Sequence, residues 1–539
     1  MNSLEDIEEA RDLIRKAKFA EAERLLRATP DSENNAEAQQ LLGVVAFQTN
    51  RVAEAVIYLQ KAAIDLPEDG YLQNNLAQAY KLMGSLDDAK LAFKRASELQ
   101  VKFADPLNHL GVLYMQEGKT ERAETAFLAA ISRHSNYAEA HYNLGVLLGE
   151  VNRLPEAREH YQLALKAKPD YVQAINNLGT VLDDLGEHKA AEKFYRQGIV
   201  TSPNTPELYC SLGLCLRQQG KYSEACSEFK KGAEVAPDFF VNKWNLGFLQ
   251  LAMAELSEGW ENYRYRHTVD RQSFLLPNER LSPSLSGRTI HVAAEQGLGD
   301  QIFFSRFLPE LKNRGATVKF QPDSKAKSLF ERVDGIIVED LKEPDFSIAD
   351  LPYLLGNSTV VPSVTIKPKE KIRLNMLARL TDCGPAPYIG ITHRAGGAGA
   401  NTLFKNAPPE NIGSVLSTIS ATVISVQRHS KPSELMQISS LLGREIYDFS
   451  DVNVRLEDAL ALMAVLDDYI GVSNTNMHLR AATGRTARVL VTHPGEFRWQ
   501  VYGDTSPWFP DFTLYRQDVN ASWARAFLQL EIDLKQDYG

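Results

Sequence analysis

Cysteine is scarce. The 539-residue chain has four, Cys210, Cys215, Cys226 and Cys383. They are too few and too unevenly spaced for a disulfide framework or a zinc site. Long apolar runs are missing as well, and none approaches the ~18–20 residues of a membrane span. The opening decapeptide, Met1–Ala10, is acidic and has no apolar stretch. No secretory leader is therefore expected, and the cytoplasm is the expected compartment. Surplus positive charge is missing too: 59 Lys and Arg face 69 Asp and Glu, a net −10. That balance argues against nucleic acid as a partner, since phosphate binding needs a basic face. No Asp-x-Asp clamp for a divalent ion stands out. Asp183-Asp184 falls in a repeated helix and Asp467-Asp468 leads into a strand, so neither metal nor cofactor is expected.

What is present is an ordinary globular composition, 44% apolar and 24% charged, over a length that calls for several domains. Charge divides unevenly along it. Residues 1–270 hold 30 basic and 39 acidic side chains, net −9, and the remainder 29 and 30, net −1.

The first half repeats itself every 34 residues. Leu42-Gly43 recurs as Leu76-Ala77, Leu110-Gly111, Leu144-Gly145, Leu178-Gly179, Leu212-Gly213 and Leu246-Gly247. Twelve residues after each small residue comes another, Ala55 to Gly259, and four further on a bulky one, from Leu59 to Tyr263. Small residues let two helices approach, and the bulky side chain fills the space between them. Gly84, Gly118, Gly186 and Gly220 fall where the turn between helices needs left-handed backbone. The pattern resembles the tetratricopeptide repeat, which implies helix pairs stacked as a superhelix with a concave groove. Residues 3–30 read as a degenerate cap, and residues 1–270 as the repeat domain. Trp260, Tyr263 and Tyr265 offer apolar surface on which a C-terminal domain could dock. The residue before each Leu-Gly pair is expected to face the groove. It reads Leu41, Asn75, His109, Asn143, Asn177, Ser211 and Asn245. Amides in such a row suit the backbone of an extended peptide; a column that simply favours Asn is the plainer explanation.

After a linker at 271–286 the period changes. Short β-branched runs alternate with helical patterns, which argues parallel α/β. Strands are expected at Thr289–Ala293, Ala316–Phe320, Gly335–Val338, Tyr388–Thr392, Ala421–Val426, Asp468–Val472 and Ala487–Val491. Helices are expected at Gln301–Arg314, Lys325–Arg332, Pro409–Thr418, Ser433–Leu442, Leu456–Leu466, Thr475–Thr483 and Ala521–Leu534. Residues 340–385 read as irregular. One lobe spans 287–385 and a second 386–539, with a cleft for ligands between them.

Three polar clusters follow predicted strands. Gly297-Leu298-Gly299-Asp300 is a glycine turn with an acid at a helix N-terminus. Thr392-His393-Arg394 runs into a glycine-rich loop, with Lys405-Asn406 beyond it; Gly between Arg and Lys suits phosphate. Ser473-Asn474-Thr475-Asn476-Met477-His478 opens a helix whose first-turn amides can hold an anion. Each has a plainer explanation as a tight connection, a mobile loop or a capped helix.

Together these motifs make residues ~287–535 resemble the bacterial heptosyltransferase type of glycosyltransferase. That resemblance implies two facing Rossmann-like lobes, the GT-B fold. It implies Asp300 as the base for the acceptor hydroxyl, with Gly297 and Gly299 beside it. It implies Lys405, Arg394 and the stretch Ser473, Asn474, Thr475, Asn476 and His478 around the donor phosphate. Gln427 and Arg498, in Phe497-Arg498-Trp499, resemble further positions near the donor. The family motif begins with Asp where Ser473 stands. Repeats ahead of such a domain are similar in layout to O-linked N-acetylglucosamine transferase and to flagellin-modifying glycosyltransferases. The expectation is therefore a metal-independent transferase that moves a sugar from a nucleotide donor to a protein held in the groove. A lipopolysaccharide or saccharide acceptor, and a non-catalytic interaction scaffold, remain open.

Overall fold

A computed structural model describes residues 3–266, 276–295, 297–395 and 405–539. It divides into two compact units, Met1–Pro203 and Asn204–Gly539. The glycines at 396, 397 and 399, in the expected phosphate loop, lie outside the described residues.

The first unit holds twelve α-helices, from Ser3–Arg15 to His188–Thr201. They pack as consecutive antiparallel pairs, and the 34-residue columns explain the packing. Ala89, Ala123, Ala157 and Ala191 are fully buried, beside Phe93, Phe127, Tyr161 and Tyr195. Each ring covers the small residue of the partner helix. A Cβ added at Gly111, Gly145 or Gly179 would lie 2.5–2.7 Å from Cε1 of Phe127, Tyr161 or Tyr195. The turns at Gly84, Gly118 and Gly186 have φ of 84°, 71° and 78°, and Asn50 and Asn152 make the same left-handed turn elsewhere.

The second unit begins with four more helices, Pro206–Gln218, Tyr222–Val235, Phe240–Ala252 and Leu256–Tyr263. Two parallel sheets come next. The first comprises β1 (Thr289–Ala293), β2 (Thr317–Gln321), β3 (Ile336–Val338) and β4 (Phe346–Ser347), in the order β3-β2-β1-β4. The second comprises β5 (Tyr388–Thr392), β8 (Thr422–Ser425), β9 (Ile446–Asp448), β10 (Asp468–Val472), β11 (Arg488–Val491) and β12 (Thr513–Arg516), in the order β12-β11-β10-β5-β8-β9. Between β5 and β8, β6 (Arg394–Ala395) and β7 (Lys405–Asn406) form a small antiparallel pair. In each large sheet the chain enters at the centre, winds to one edge, then crosses back to the other side. The crossings fall between β1 and β4 and between β5 and β10, and ligands of such sheets bind beyond the strand ends at these points.

An aromatic cluster ties the four helices to both sheets. The Trp260 ring lies 6.1 Å from Phe304, 5.8 Å from Phe497 and 5.9 Å from Trp508. Gln500 Nε2 donates to the Leu251 carbonyl at 3.1 Å, and the Val501 amide to Ala252 at 3.0 Å. Arg266, 5.2 Å over the Tyr263 ring beside Trp260, is fully buried. It donates to Glu295 Oε1 at 2.8 Å and Oε2 at 2.6 Å, and meets Asp350 Oδ1 at 2.8 Å.

Two expectations need correction. The segment Gln301–Arg314 is not one helix: Leu298–Phe304, a 3-10 turn Ser305–Phe307 and Leu308–Asn313 succeed one another. Pro309 has no N–H with which to continue the helical ladder. The segment 340–385 is not irregular throughout, since Glu370–Thr381 forms a helix. Its buried side chains are only Met376 and Leu380, too sparse a stripe to read as amphipathic.

The contact at Gly179 yields a prediction. Gly179→Val places its branch inside the Tyr195 ring and should cost about 1–3 kcal/mol by overpacking. A urea titration followed by circular dichroism should show a lower midpoint; an unchanged midpoint would refute this account of the repeat.

Candidate functional site

A cavity of about 670 Å³ opens at the carboxyl ends of β1, β5, β8 and β10. Gly297, Gly299, Asp300, Arg394, Lys405, Gln427, Ser473, Asn474, Thr475, Asn476, His478 and Arg498 all line it. Three stretches far apart in sequence therefore meet at the winding points of the two sheets.

Two helix starts face each other there. Gly299 sits where helix Leu298–Phe304 crosses helix Thr475–Ala482. A Cβ on it would lie 3.0 Å from His478 Cδ2 and 3.6 Å from the Thr475 Cα, so the crossing is set by the missing side chain. Asn474 caps the second helix and accepts from the Asn476 amide at 2.8 Å and the Met477 amide at 3.3 Å. Two donors that the sequence offers to an anion are thus bound to the cap. Asn476 is buried, and its Nδ2 reaches Asn453 Oδ1 at 3.4 Å. His478 is also buried, between Phe303 and Phe509, and its Nδ1 has no hydrogen-bond partner. Burial, reinforced by Arg498, Arg306 and Lys405, holds its pKa well below the ordinary histidine value. His478 is therefore a neutral ring at pH 7, able to make one more hydrogen bond.

Three of the cavity's cations are already paired. Arg394 donates from Nε to Glu434 Oε1 at 3.1 Å and from Nη2 to the His429 carbonyl at 2.6 Å. Lys405 forms an ion pair with Glu496, and its Nζ lies 3.3 Å from the Ser473 carbonyl. Arg498 forms an ion pair with Asp300, whose Oδ2 also accepts the Gly297 amide at 3.2 Å. Arg428, exposed at the rim, makes no ion pair among the described residues. Gln427 serves the loop itself. Its Oε1 accepts the His393 and Arg394 amides at 3.2 and 3.1 Å, and its Nε2 donates to the Arg394 carbonyl at 3.0 Å.

Sequence reasoning missed Glu434 and Glu496. Each lies in a different strand-to-helix segment from its cation, and no spacing announces the pairing. Glu496 is the more informative. Ser473 Oγ donates to its Oε2 at 2.8 Å, so a buried carboxylate stands at the head of the Ser473–His478 cluster. Burial would raise the Glu496 pKa, but Lys405, Arg498 and the Ser473 hydroxyl outweigh it and hold the group below the ordinary glutamate range.

In the first unit, the expected groove column is partly committed. Asn143 Nδ2 donates to Asn108 Oδ1 of the preceding repeat at 2.9 Å. Asn177 Nδ2 lies 3.4 Å from the hydroxyls of Tyr142 and Tyr161. Asn75 is half-buried, and the His109 ring stacks on Phe93 at 5.2 Å. The preceding column adds Asn74 and Asn176, whose Oδ1 atoms are buried without a partner. In the second unit Asn245 is buried and donates to the Val241 carbonyl at 3.0 Å, so its amide serves its own helix.

Comparison with known proteins bears mainly on the repeats. Tetratricopeptide repeat families match residues 7–71, 108–172 and 142–207, and also 71–100 and 206–239. Tetratricopeptide repeats thus run across the N-terminal half, and such repeats are protein-interaction scaffolds. The chain is 25% identical over 308 residues to Protein FlbA of Caulobacter vibrioides, covering 51% of this chain and 51% of that protein. It therefore spans about half the length of the curated relative it matches. Among solved structures it is similar to the APC/C hetero-tetramer Cut9-Hcn1, at 20% identity and a TM-score of 0.37, over 42% of this chain and 45% of that one. It is also similar to YrrB, described as a TPR protein with an unusual peptide-binding site, at 24% identity and a TM-score of 0.30, over 34% and 94%. Among the described residues no helix is long and apolar enough to cross a membrane.

Lys405 supplies a test by pH. Lys405→Met leaves a buried carboxylate without its main partner and should cost about 3–5 kcal/mol at neutral pH. The lowered Glu496 pKa stabilises the native protein above the ordinary glutamate range and is lost as pH falls through the folded value. The deficit of the variant should therefore shrink below pH ~4, because a protonated Glu496 needs no cation. Denaturant titrations of both proteins from pH 3.5 to 8 would check this, and a deficit independent of pH would refute it.

Proposed function

We propose that the chain is a nucleotide-sugar-dependent glycosyltransferase of the two-lobe GT-B kind that modifies a protein acceptor bound by its repeats. The observation that carries this reading is the convergence of Asp300, Lys405, Arg498 and the Asn474-capped helix on one cavity at the winding points of two parallel sheets. A donor phosphate would lie against the second sheet, near Arg394, Lys405, Arg498 and the Thr475 amide. These groups offset the charge that builds on the phosphate as the bond to the sugar carbon breaks. Asp300, on the first sheet's side, would take the proton of an acceptor hydroxyl as its oxygen bonds to that carbon. His478 adds a neutral hydrogen bond in a region stripped of water by Phe303 and Phe509. The repeats would present the acceptor, with Asn75, Asn143 and Asn177 on its backbone and His109 beside it.

The scaffold reading keeps one observation in its favour. Three cations of the cavity, Arg394, Lys405 and Arg498, are matched by carboxylates of the same chain, and the helix cap occupies amides that a phosphate would otherwise use. A lipopolysaccharide or other saccharide acceptor is compatible with the same cavity.

These readings separate by measurement. In a thermal-shift screen across nucleotide sugars, a true donor at about a hundred times its Kd should stabilise the protein by about 2.7 kcal/mol. No stabilisation by any donor would favour the scaffold. With the donor identified, Asp300→Asn should lower transfer by about 10²–10⁴-fold; unchanged turnover would remove Asp300 from the base role. Asn143→Ala combined with Asn177→Ala should weaken use of a protein acceptor while sparing donor hydrolysis. Equal loss on a free saccharide acceptor would move the acceptor site out of the repeats.

A further inference from the structure

Among the described residues, Arg498 is the one cation of the cavity that reaches across to the other lobe. It stands on the turn Phe497–Trp499 that follows β11, whereas Asp300 follows β1. Its guanidinium lies 4.6 Å from the ring centres of both Phe303 and Phe497. Two aromatic faces fix its plane and leave its in-plane direction to its hydrogen bonds. Those are incomplete. Arg498 is 8% exposed, its Nε has no partner, and its Nη1 is 4.0 Å from Glu496 Oε2. Asp300 thus takes Nη2, while Nε on the same edge has no partner and Nη1 has only a distant one. Forked N–H donors match the oxygens of a phosphate.

The three ion pairs also differ in what their separation would cost. Glu434 and Glu496 belong to the same lobe as their cations, with side chains 18% and 13% exposed. Removing either cation strands a largely buried carboxylate. Asp300 is 27% exposed and belongs to the other lobe, so it can be released toward solvent. While Arg498 holds it, Oδ1 is engaged.

We propose that Arg498 is a positioning residue that couples the two halves of the reaction: a phosphate in the cavity competes with Asp300 for the guanidinium, and its arrival frees the Asp300 carboxylate for the acceptor hydroxyl. This rests on the glycosyltransferase reading. It makes donor binding precede acceptor activation, and it makes the carboxylate of Asp300 a competitor of the donor phosphate.

The test is a double-mutant cycle on the full chain, with inorganic pyrophosphate as the probe and calorimetry as the readout. Removing the competitor should strengthen binding, so Asp300→Asn should bind pyrophosphate about fivefold more tightly than the natural protein. Arg498→Met should weaken binding, and Asp300→Asn added to it should give no further gain, because the gain passes through Arg498. Arg498→Lys, which keeps charge but not the fork, provides the same comparison if the methionine variant fails to fold. An unchanged affinity in Asp300→Asn, or the same gain with and without Arg498, would overturn the coupling and leave the glycosyltransferase reading standing. Absence of pyrophosphate binding in all the proteins, alongside absence of any nucleotide-sugar binding, would overturn both.

Discussion

The packing of Trp260 against Phe304, Phe497 and Trp508 is the constraint on which the second unit depends. These rings come from a repeat helix, from the helix after β1, and from the segments flanking the turn before β12. None of the three can bury its aromatic face without the other two. The cluster therefore fixes where β1 and its glycine turn stand relative to β10 and its capped helix. Arg266, stacked on the Tyr263 ring of the same cluster, reinforces this. A guanidinium with no exposure, shared by Glu295 and Asp350, tolerates little displacement, because either carboxylate left alone would be a buried, uncompensated charge. The cavity is a consequence: two strand-to-helix turns brought together by packing that lies behind them.

Much of this arrangement was written locally in the chain. The 34-residue columns specify the paired helices, since a small residue and a bulky one at fixed offsets admit one way of nesting. The strands Thr289–Ala293, Tyr388–Thr392 and Asp468–Val472 form over the residues expected: the last two are buried throughout, and the first carries its apolar side chains at Ile290, Val292 and Ala293. The three polar clusters could be placed on one edge for the same reason. What could not be read depends on partners distant in sequence. β4 is two residues long and exists only because β1 offers it an edge. Helix Glu370–Thr381 shows no clear apolar stripe, having little to bury. Glu434 and Glu496 are unremarkable acids until folding sets them beside Arg394 and Lys405. The groove column was legible as a column, but not the use of Asn143 and Asn177 as links between neighbouring repeats or the burial of Asn245.

The cavity combines charge and restraint. Arg394, Lys405 and Arg498 are each held by a carboxylate, and a neutral buried His478 completes the wall. Such a site resists filling by adventitious anions, since a ligand must supply more than the carboxylate it replaces. Specificity then comes from what a ligand can displace as much as from what it can touch. Ser473 fits the same logic: its hydroxyl serves Glu496, the carboxylate that holds Lys405.

The division at Pro203 has a bearing on how such chains diversify. Units of a stacked repeat contribute to stability nearly independently, each through its neighbours. The helices that carry the docking rings lie after Pro203, so the inventory of repeats ahead of it is free to vary. Duplication, loss or exchange of whole 34-residue segments there would alter the surface offered to partners while leaving the aromatic seat intact.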